Sequence, residues 1–525
     1  MLTTFNTAPT KKQFLLLFLV TFALRAMMFA GFMQHRTLLR QGYEGQVDQH
    51  VRYNQPDSPD YHQAALCLAL GNGMSTIGTN QPIFWRTPGY PLYLAAFYKW
   101  FGITSADFNA NQAAQRAALW VQIFVCSFIP IILFYLAYLL TGIYLIAWLT
   151  AWISALHIGL ILASTYLLTE GLGMIFFYLF LIFFYRLLLM RPIATFTMLK
   201  TPFALSLSKR KTGAYPSTGS GRTAPIICAL SAALTLSIYT WIRPMGEFVG
   251  IIATGMLLLL SPGSWSVALQ QSLIFAVPFF TSLLPWYWRN YTLTGGWFFC
   301  PLSGIYLNCF CAPKILRRTM NISLLNAWKY TQQLAQQELR NAYQSIAGTG
   351  KFLSPLLSRN VALPIITAYP LYFALDWIQE ALKTLLDLYS SQFPTFVNNT
   401  FWYDPLEDFL LDKTMACLWS APLPLWMRIL CWTELVYALL LWVGLLGGAW
   451  VFMFTTFFTQ KNSAFILRMR WLWFVCGIII GAVVAMTGGF GYARLRLPVE
   501  PLMIILSLTF WYWFFQKNKV VRQSH

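Results

Sequence analysis

A chain of 525 residues, 58% hydrophobic and only 10% charged, is too apolar to be a string of soluble domains. Its formal net charge of +19 comes with no basic soluble module, so nucleic acid is excluded as a partner and the cations are assigned to membrane topology and lipid headgroups. Apolar runs recur along it, each long enough for the roughly 30 Å hydrocarbon core of a bilayer. The fold class expected is an all-α polytopic membrane protein.

Lys11 and Lys12 precede a first span at about 13–33 and place the N-terminus in the cytoplasm. That span is too long for a removed signal and has no small-residue cleavage site, so it reads as an anchor. Residues 34–110 then form an external loop with two short helical patterns. Spans 2–4 occupy 111–189, at about 117–140, 143–166 and from Thr169 to about 189. Arg186, Arg191, Lys200, Arg210, Lys211 and Arg222 follow as an internal basic cluster.

Within the cytoplasmic segment 190–225, Phe203-Ala-Leu-Ser-Leu-Ser208 and Ser217-Thr-Gly-Ser-Gly-Arg222 can be encoded by reverse-complementary DNA. A palindromic repeat read through in a bacterial gene accounts for both, and no function is expected of it. The Ser, Gly and Thr content predicts a disordered loop.

Spans at about 226–243, 247–262 and 268–287 fill 226–288, and 289–426 is a large, mostly external segment. It carries a polar helical pattern at about 322–346 and an apolar, Pro-interrupted stretch at about 361–388. Parity makes that stretch interfacial or re-entrant. Spans at about 427–457, 471–488 and 499–516 then put Lys461, Arg468, Arg470 and the basic tail 517–525 inside, for ten spans in all. The nine Cys and five His show no metal-ligand spacing, so no metal site is expected; Cys300, Cys309 and Cys311 share one loop, as a disulfide or as free thiols.

The first external loop is the polar island of the chain: Asp57-Ser-Pro-Asp-Tyr61, Gly71-Asn-Gly73 and Trp85-Arg-Thr-Pro-Gly-Tyr-Pro91. Asp57 suits a helix cap, with Pro59 in the first turn and Tyr61, Ala64, Ala65 and Leu68 on one face. It equally suits a general base held at the start of a short rigid helix. Arg86 reads either as a snorkelling anchor or as a bidentate phosphate ligand. Arg289, Arg494 and Arg496 sit at external span ends, where lipid-headgroup anchoring is the plain alternative. Arg25, inside the first span, is a functional candidate by position, with a structural pairing as the equal alternative.

These residues resemble a known group. The pattern Asp57-Ser-x-x-Tyr61, Gly71-x-Gly73, Arg86-Thr-Pro-Gly-Tyr-Pro-Leu-Tyr93 is similar to the first external loop of GT-C glycosyltransferases of the bacterial protein-mannosyltransferase-like superfamily. That superfamily includes dolichyl-phosphate-mannose protein mannosyltransferases and the lipid A aminoarabinose transferase. Leu168-Thr-Glu170, Ile242-Arg-Pro244, Pro285-Trp-x-x-Arg-Asn-Tyr291 with Gly295-Gly296, and Ala493-Arg-x-Arg-x-Pro498 continue the resemblance in the same order.

The resemblance implies a GT-C-type bundle, a polyprenyl-phosphate-sugar donor and an inverting transfer on the outer face. It implies Asp57 as general base, with Asp60 as second candidate acid because Ser58 stands where the group usually has a glutamate. Tyr61, Arg86, Glu170, Arg243, Arg289, Asn290, Arg494 and Arg496 follow as substrate-binding residues. With arginines stabilising the leaving phosphate, neither metal nor cofactor is required. Partners are the donor, a lipid, glycan or protein acceptor, and membrane lipids; the site of action is a bacterial inner membrane with its active site periplasmic. The alternative, a lipid-linked sugar flippase or transporter, would call for internal repeats and broken helices at mid-membrane, and no repeat is present.

Overall fold

The structure, a computed structural model, describes residues 9–42, 57–79, 81–103, 112–189, 220–260, 265–346, 357–386, 388–389, 425–454, 464–487 and 493–523. The low-complexity segment falls outside them up to residue 219. Among the described residues the chain is helical, and its extended pairing is limited to an isolated bridge between Ser75 and Pro82.

The first half runs α1 (Lys11–Gly42), α2 (Ser58–Ala69), α3 (Gly89–Trp100), α4 (Gln112–Cys126), α5 (Ile129–Thr141), α6 (Tyr144–Leu156), α7 (Ile158–Thr165), α8 (Thr169–Leu189), α9 (Ser220–Ile242), α10 (Gly246–Leu260) and α11 (Trp265–Thr294). After it come α12 (Leu302–Tyr306), a π-helical turn at Leu307–Cys311, α13 (Ala312–Met320), α14 (Leu324–Ile346), α15 (Leu357–Ala368), α16 (Pro370–Leu386), α17 (Leu425–Ala449), α18 (Ala464–Thr487), α19 (Ala493–Arg496) and α20 (Glu500–Gln523).

Among the described residues seven helices are long and apolar enough to cross a membrane, and nine segments are if the bent pairs α6–α7 (51°) and α15–α16 (108°) each count as one. The chain is therefore an all-α polytopic membrane protein. Two of the ten expected spans fall short of that standard. The helix α10 has only 15 residues, and α20 opens on Glu500 and carries a Trp-Tyr-Trp run before its basic tail. The Pro-interrupted stretch is the sharply bent pair, with the turn at Tyr369 ahead of Pro370.

The bundle core is built on α5, α8, α9, α11 and α20, whose buried faces are Phe- and Leu-rich: Phe134, Phe177, Phe180, Phe184, Phe275 and Phe279 are almost wholly buried. Phe275 and Phe279 stack one turn apart, at 5.9 Å between centroids. A second cluster, with Tyr61, Tyr90, Leu94 and Tyr98 at its centre, joins α2 and α3 to α4 and to the end of α9. The polar loop is thus packed onto the bundle and does not project from it.

Its docking is chemically specific. Thr87 Oγ1 donates to the Ile242 carbonyl at 2.9 Å, satisfying an acceptor that the end of α9 leaves unpaired. At Gly89 a Cβ would lie 2.6 Å from the Trp241 carbonyl oxygen, so only glycine lets α3 start against the end of α9. The Arg-Thr-Pro-Gly run is in this way a joint that fixes the Arg86 segment against the end of α9. Gly89→Ala forces two backbones apart and is expected to cost about 1–3 kcal/mol. A fall in thermal stability of the purified protein checks it; an unchanged midpoint refutes the joint.

The charged residue of the first span is buried. Arg25 donates from Nη1 to the Thr21 carbonyl at 3.3 Å, and no ion pair of it is seen among the described residues.

Candidate active site

Asp57 occupies the N-cap position of α2, yet its side chain makes no capping bond. Its two oxygens are taken by arginines instead. Arg86 Nη2 donates to Oδ1 at 2.6 Å, and Arg494 Nη2 donates to Oδ2 at 2.7 Å. The cap and the functional alternatives separate here, because the carboxylate faces guanidinium groups from two distant parts of the chain.

From Asp57 the charges continue in both directions. On one side Arg86 also binds Asp60 Oδ2 through Nη2 (2.9 Å) and Nε (3.1 Å), with the Trp85 indole N–H on the same oxygen at 3.2 Å. On the other side Arg494 Nε pairs with Glu170 Oε1 at 3.0 Å, and Arg243 Nη1 reaches the same oxygen at 3.3 Å. The result is one alternating row, Asp60–Arg86–Asp57–Arg494–Glu170–Arg243, of three carboxylates and three guanidiniums.

The row is graded in exposure. The Asp60 and Asp57 side chains are 34% and 24% exposed, whereas Glu170 and Arg243 are 3% and 9%. The Asp57 end is therefore the accessible one, and the Glu170 end lies inside the bundle.

Local sequence explains each placement. Pro59 in the first turn starts α2 one residue after Asp57, and Gly71 and Gly73, at φ of 83° and 70°, turn the chain back. Glu170 stands in the first turn of α8, where the helix dipole favours an acid, and Arg243 follows the last residue of α9. Arg494 is carried by the single turn α19 just before α20.

Tyr61 lies one turn into α2, its ring 5.0 Å below the Arg86 guanidinium carbon and edge-on to Tyr90. Burial pushes the Tyr61 phenol up to about 12. Burial would also raise the Asp57 carboxyl, but Arg494 and Arg86 outweigh it and hold the group well below the usual carboxylate range. Burial disfavours the charged form of Arg86; Tyr61, Asp57 and Asp60 overcompensate and leave it more firmly protonated than a free guanidinium.

A small cavity, with room for about one water, adjoins the row, lined by Glu170 and Arg494 together with Gly159, Leu162, Ala163, Tyr166, Leu168, Tyr389 and Leu497. Gly159 is required there, because a Cβ would come within 2.7 Å of the Tyr389 ring.

Three residues grouped with these by sequence lie elsewhere. Arg289 spends its guanidinium on the Ile83 (3.2 Å) and Met74 (3.1 Å) carbonyls and on Asn290 Oδ1 (2.9 Å), stacked on Trp286 at 4.4 Å. It clasps the turn 74–83. Asn290 donates to the Phe298 and Phe299 carbonyls at 3.0 and 3.2 Å, closing the loop after α11. Arg496 donates to the Thr384 (3.3 Å) and Leu385 (2.6 Å) carbonyls and to Glu500 Oε1 (3.4 Å). All three make frame contacts, and none of these contacts reaches the row.

Sequence reasoning missed a second polar centre around Glu500. Its carboxylate receives Arg496, the Tyr389 hydroxyl at 2.5 Å, the Tyr437 hydroxyl at 3.1 Å and His157 Nε2 at 3.1 Å. His157 Nδ1 accepts from the Leu160 N–H at the start of α7, which places the ring proton on Nε2, facing Glu500. Glu434 Oε1 accepts the Tyr389 N–H at 2.6 Å. The signal was available: His157, Glu434 and Glu500 are ionisable residues inside expected spans. Cys300, Cys309 and Cys311 are free thiols.

No family description and no curated protein matches the chain. Among solved structures it is similar to the archaeal oligosaccharyltransferase AglB from Archaeoglobus fulgidus in complex with an inhibitory peptide and a dolichol-phosphate. The identity is 11%, over 89% of this chain and 48% of that one, with a TM-score of 0.42. It is likewise similar to the Archaeoglobus fulgidus oligosaccharyltransferase tethered to an acceptor peptide, at 12% identity over 98% and 51% of the two chains and a TM-score of 0.44. The apo form of that enzyme gives 11%, 98%, 52% and 0.44. The chain spans about half the length of the solved structures it matches.

Proposed function

We propose that the chain is an integral-membrane inverting glycosyltransferase that moves a sugar from a polyprenyl-phosphate donor to a glycolipid, glycan or protein acceptor of a bacterial envelope, on the external face of the inner membrane. The observation that carries this reading is a row of guanidiniums and carboxylates, open at Asp57, set among helices apolar enough to cross a membrane. A phosphate on a prenyl tail meets both needs at once.

In this reading the donor phosphate binds Arg86 and Arg494, which offer planar N–H pairs at fixed charge. Both guanidiniums hold Asp57 in the free protein, so a phosphate that takes their N–H groups also releases the carboxylate. Asp57 then regains basicity at the moment it is needed. It accepts the proton of the acceptor hydroxyl as that oxygen bonds to the anomeric carbon. The bond from that carbon to the phosphate oxygen breaks on the opposite side, and the polyprenyl phosphate leaves with the electron pair, its charge met by Arg86 and Arg494. Asp60 and Glu170 keep those two arginines oriented from behind. Metal is given no role, since fixed cations already stand where charge develops.

Incubating the purified protein with labelled polyprenyl-phosphate sugars tests the proposal. Release of polyprenyl phosphate together with a glycosylated acceptor is the expected result. Translocation of the intact donor across vesicles without release would make the chain a transporter.

A further inference from the structure

The helix α16 is built inside out. Its buried residues are Asp376, Glu380, Lys383 and Thr384, all polar. Its exposed large side chains are apolar: Leu371 at 70%, Leu375, Ile378, Leu382 and Leu386. These recur at intervals of four, three, four and four residues, which is a single helical stripe. Water on that stripe would leave the helix with its faces reversed.

The buried face is held by charge. Arg318 pairs with Asp376 at 2.7 Å, and Lys314 and Lys383 both pair with Glu380, at 2.5 and 3.0 Å. Lys314 and Arg318 belong to α13, so the two helices are joined through ion pairs; the Lys314–Glu380 pair is shielded from water and strengthened by it, whereas the Arg318 side chain is 39% exposed. At the other end the Thr384 and Leu385 carbonyls, orphaned by the helix terminus, accept from Arg496.

We propose that the Leu371–Leu386 stripe of α16 is a lipid-docking surface, seated in the hydrocarbon of the bilayer, and that α16 forms the lipid-side wall of the site. The rest of the molecule favours this occupant. Among the described residues seven helices are long and apolar enough to cross a membrane, and the α15–α16 pair meets the same apolarity test as a broken segment. Tyr369 and Tyr372, 42% and 39% exposed, stand where the stripe begins, the position aromatic rings take at a membrane–water boundary. Hydrocarbon satisfies the leucines without competing for the buried charges, whereas water would do neither. Because Arg496 ties the end of α16 to α19, the wall is fastened two residues from Arg494. This surface follows from burial alone and does not depend on the transferase reading.

Nitroxide labels placed singly at positions 375, 378 and 382, with the exposed Glu338 of α14 as a water-facing control, test it in phospholipid vesicles. Collision with oxygen, which partitions into hydrocarbon, should exceed collision with a water-soluble nickel chelate at all three positions, with the ratio severalfold above that at Glu338. Nickel access equal to the control would overturn the proposal. So would loss of access to both reagents with broadening between labels, which would mean that a second copy covers the stripe. A lipid-dissolved carbene probe provides the same test on the unmodified protein: insertion into the 371–386 peptide is expected, and its absence beside labelled α1 or α17 counts against the proposal.

Discussion

Asp57→Asn removes transfer by about 10²–10⁴-fold, the usual contribution of a positioned acid–base group, while insertion and folding stay near those of the parent. The row explains why the two effects separate. Without the Asp57 charge, Arg86 still pairs with Asp60 and Arg494 still pairs with Glu170, so neither guanidinium is left alone. The amide keeps the shape, and each arginine retains one carboxylate, so the stability loss stays small. Labelled-donor turnover and a thermal melt on the same preparation check both halves. Turnover that survives the substitution removes Asp57 from the mechanism.

The acid side of the pH profile follows from the same contacts. Asp57 has a depressed folded-state pKa, so its ion pairs stabilise the protein above the ordinary aspartate range, and that contribution fades as pH falls through the lower folded value. The acid limb of kcat/KM, which reports the free protein, should show no Asp57 protonation at the pH where an ordinary aspartate titrates.

Glu500→Gln has a different signature, a loss of stability. Glu500, 1% exposed, gathers Arg496, His157, Tyr389 and Tyr437 from four separate segments. Removing one partner of a buried pair strands the other charge, at a cost of about 3–5 kcal/mol. Arg496, 3% exposed, then faces the carbonyls of Thr384 and Leu385 and the ring of Tyr389 without the Glu500 charge. The midpoint of thermal unfolding in detergent should fall sharply, and pairing the change with Arg496→Met should recover part of the loss, because an apolar replacement of both charges is cheaper than half a pair. A Glu500→Gln protein as stable as its parent would show that the centre bears no weight.

The residues of the row are legible in the sequence. Asp57, Asp60, Arg86, Glu170, Arg243 and Arg494 stand out as polar residues at span ends in an otherwise apolar chain. What cannot be read there is which of the equivalent-looking neighbours belong with them. Arg494 and Arg496 are two residues apart on one helical turn, yet one braces Asp57 and the other binds Glu500. Arg289 has the sequence context of a phosphate ligand and instead clasps the turn that ends at Ile83.

The inside-out character of α16 is hidden as well. An alternation of apolar and charged residues at helical spacing predicts two faces but not which of them is covered. For a water-soluble protein the apolar face is the buried one; beside a bilayer the assignment reverses.

By itself, then, the sequence determined the rough limits of most of the apolar helices and the set of charges at their ends. Both are set by chain-local quantities: hydrophobic length against membrane thickness, and the cost of placing an ion in hydrocarbon. Only the tertiary structure decided how those ends are arranged around the bundle, and so which charges meet. Hydrophobic length fixes how deep a residue sits, whereas its direction around the helix axis is fixed by packing. Close contacts such as Gly89 on Trp241 and Gly159 on Tyr389 set that direction and turned scattered span-end residues into one row beside one cavity.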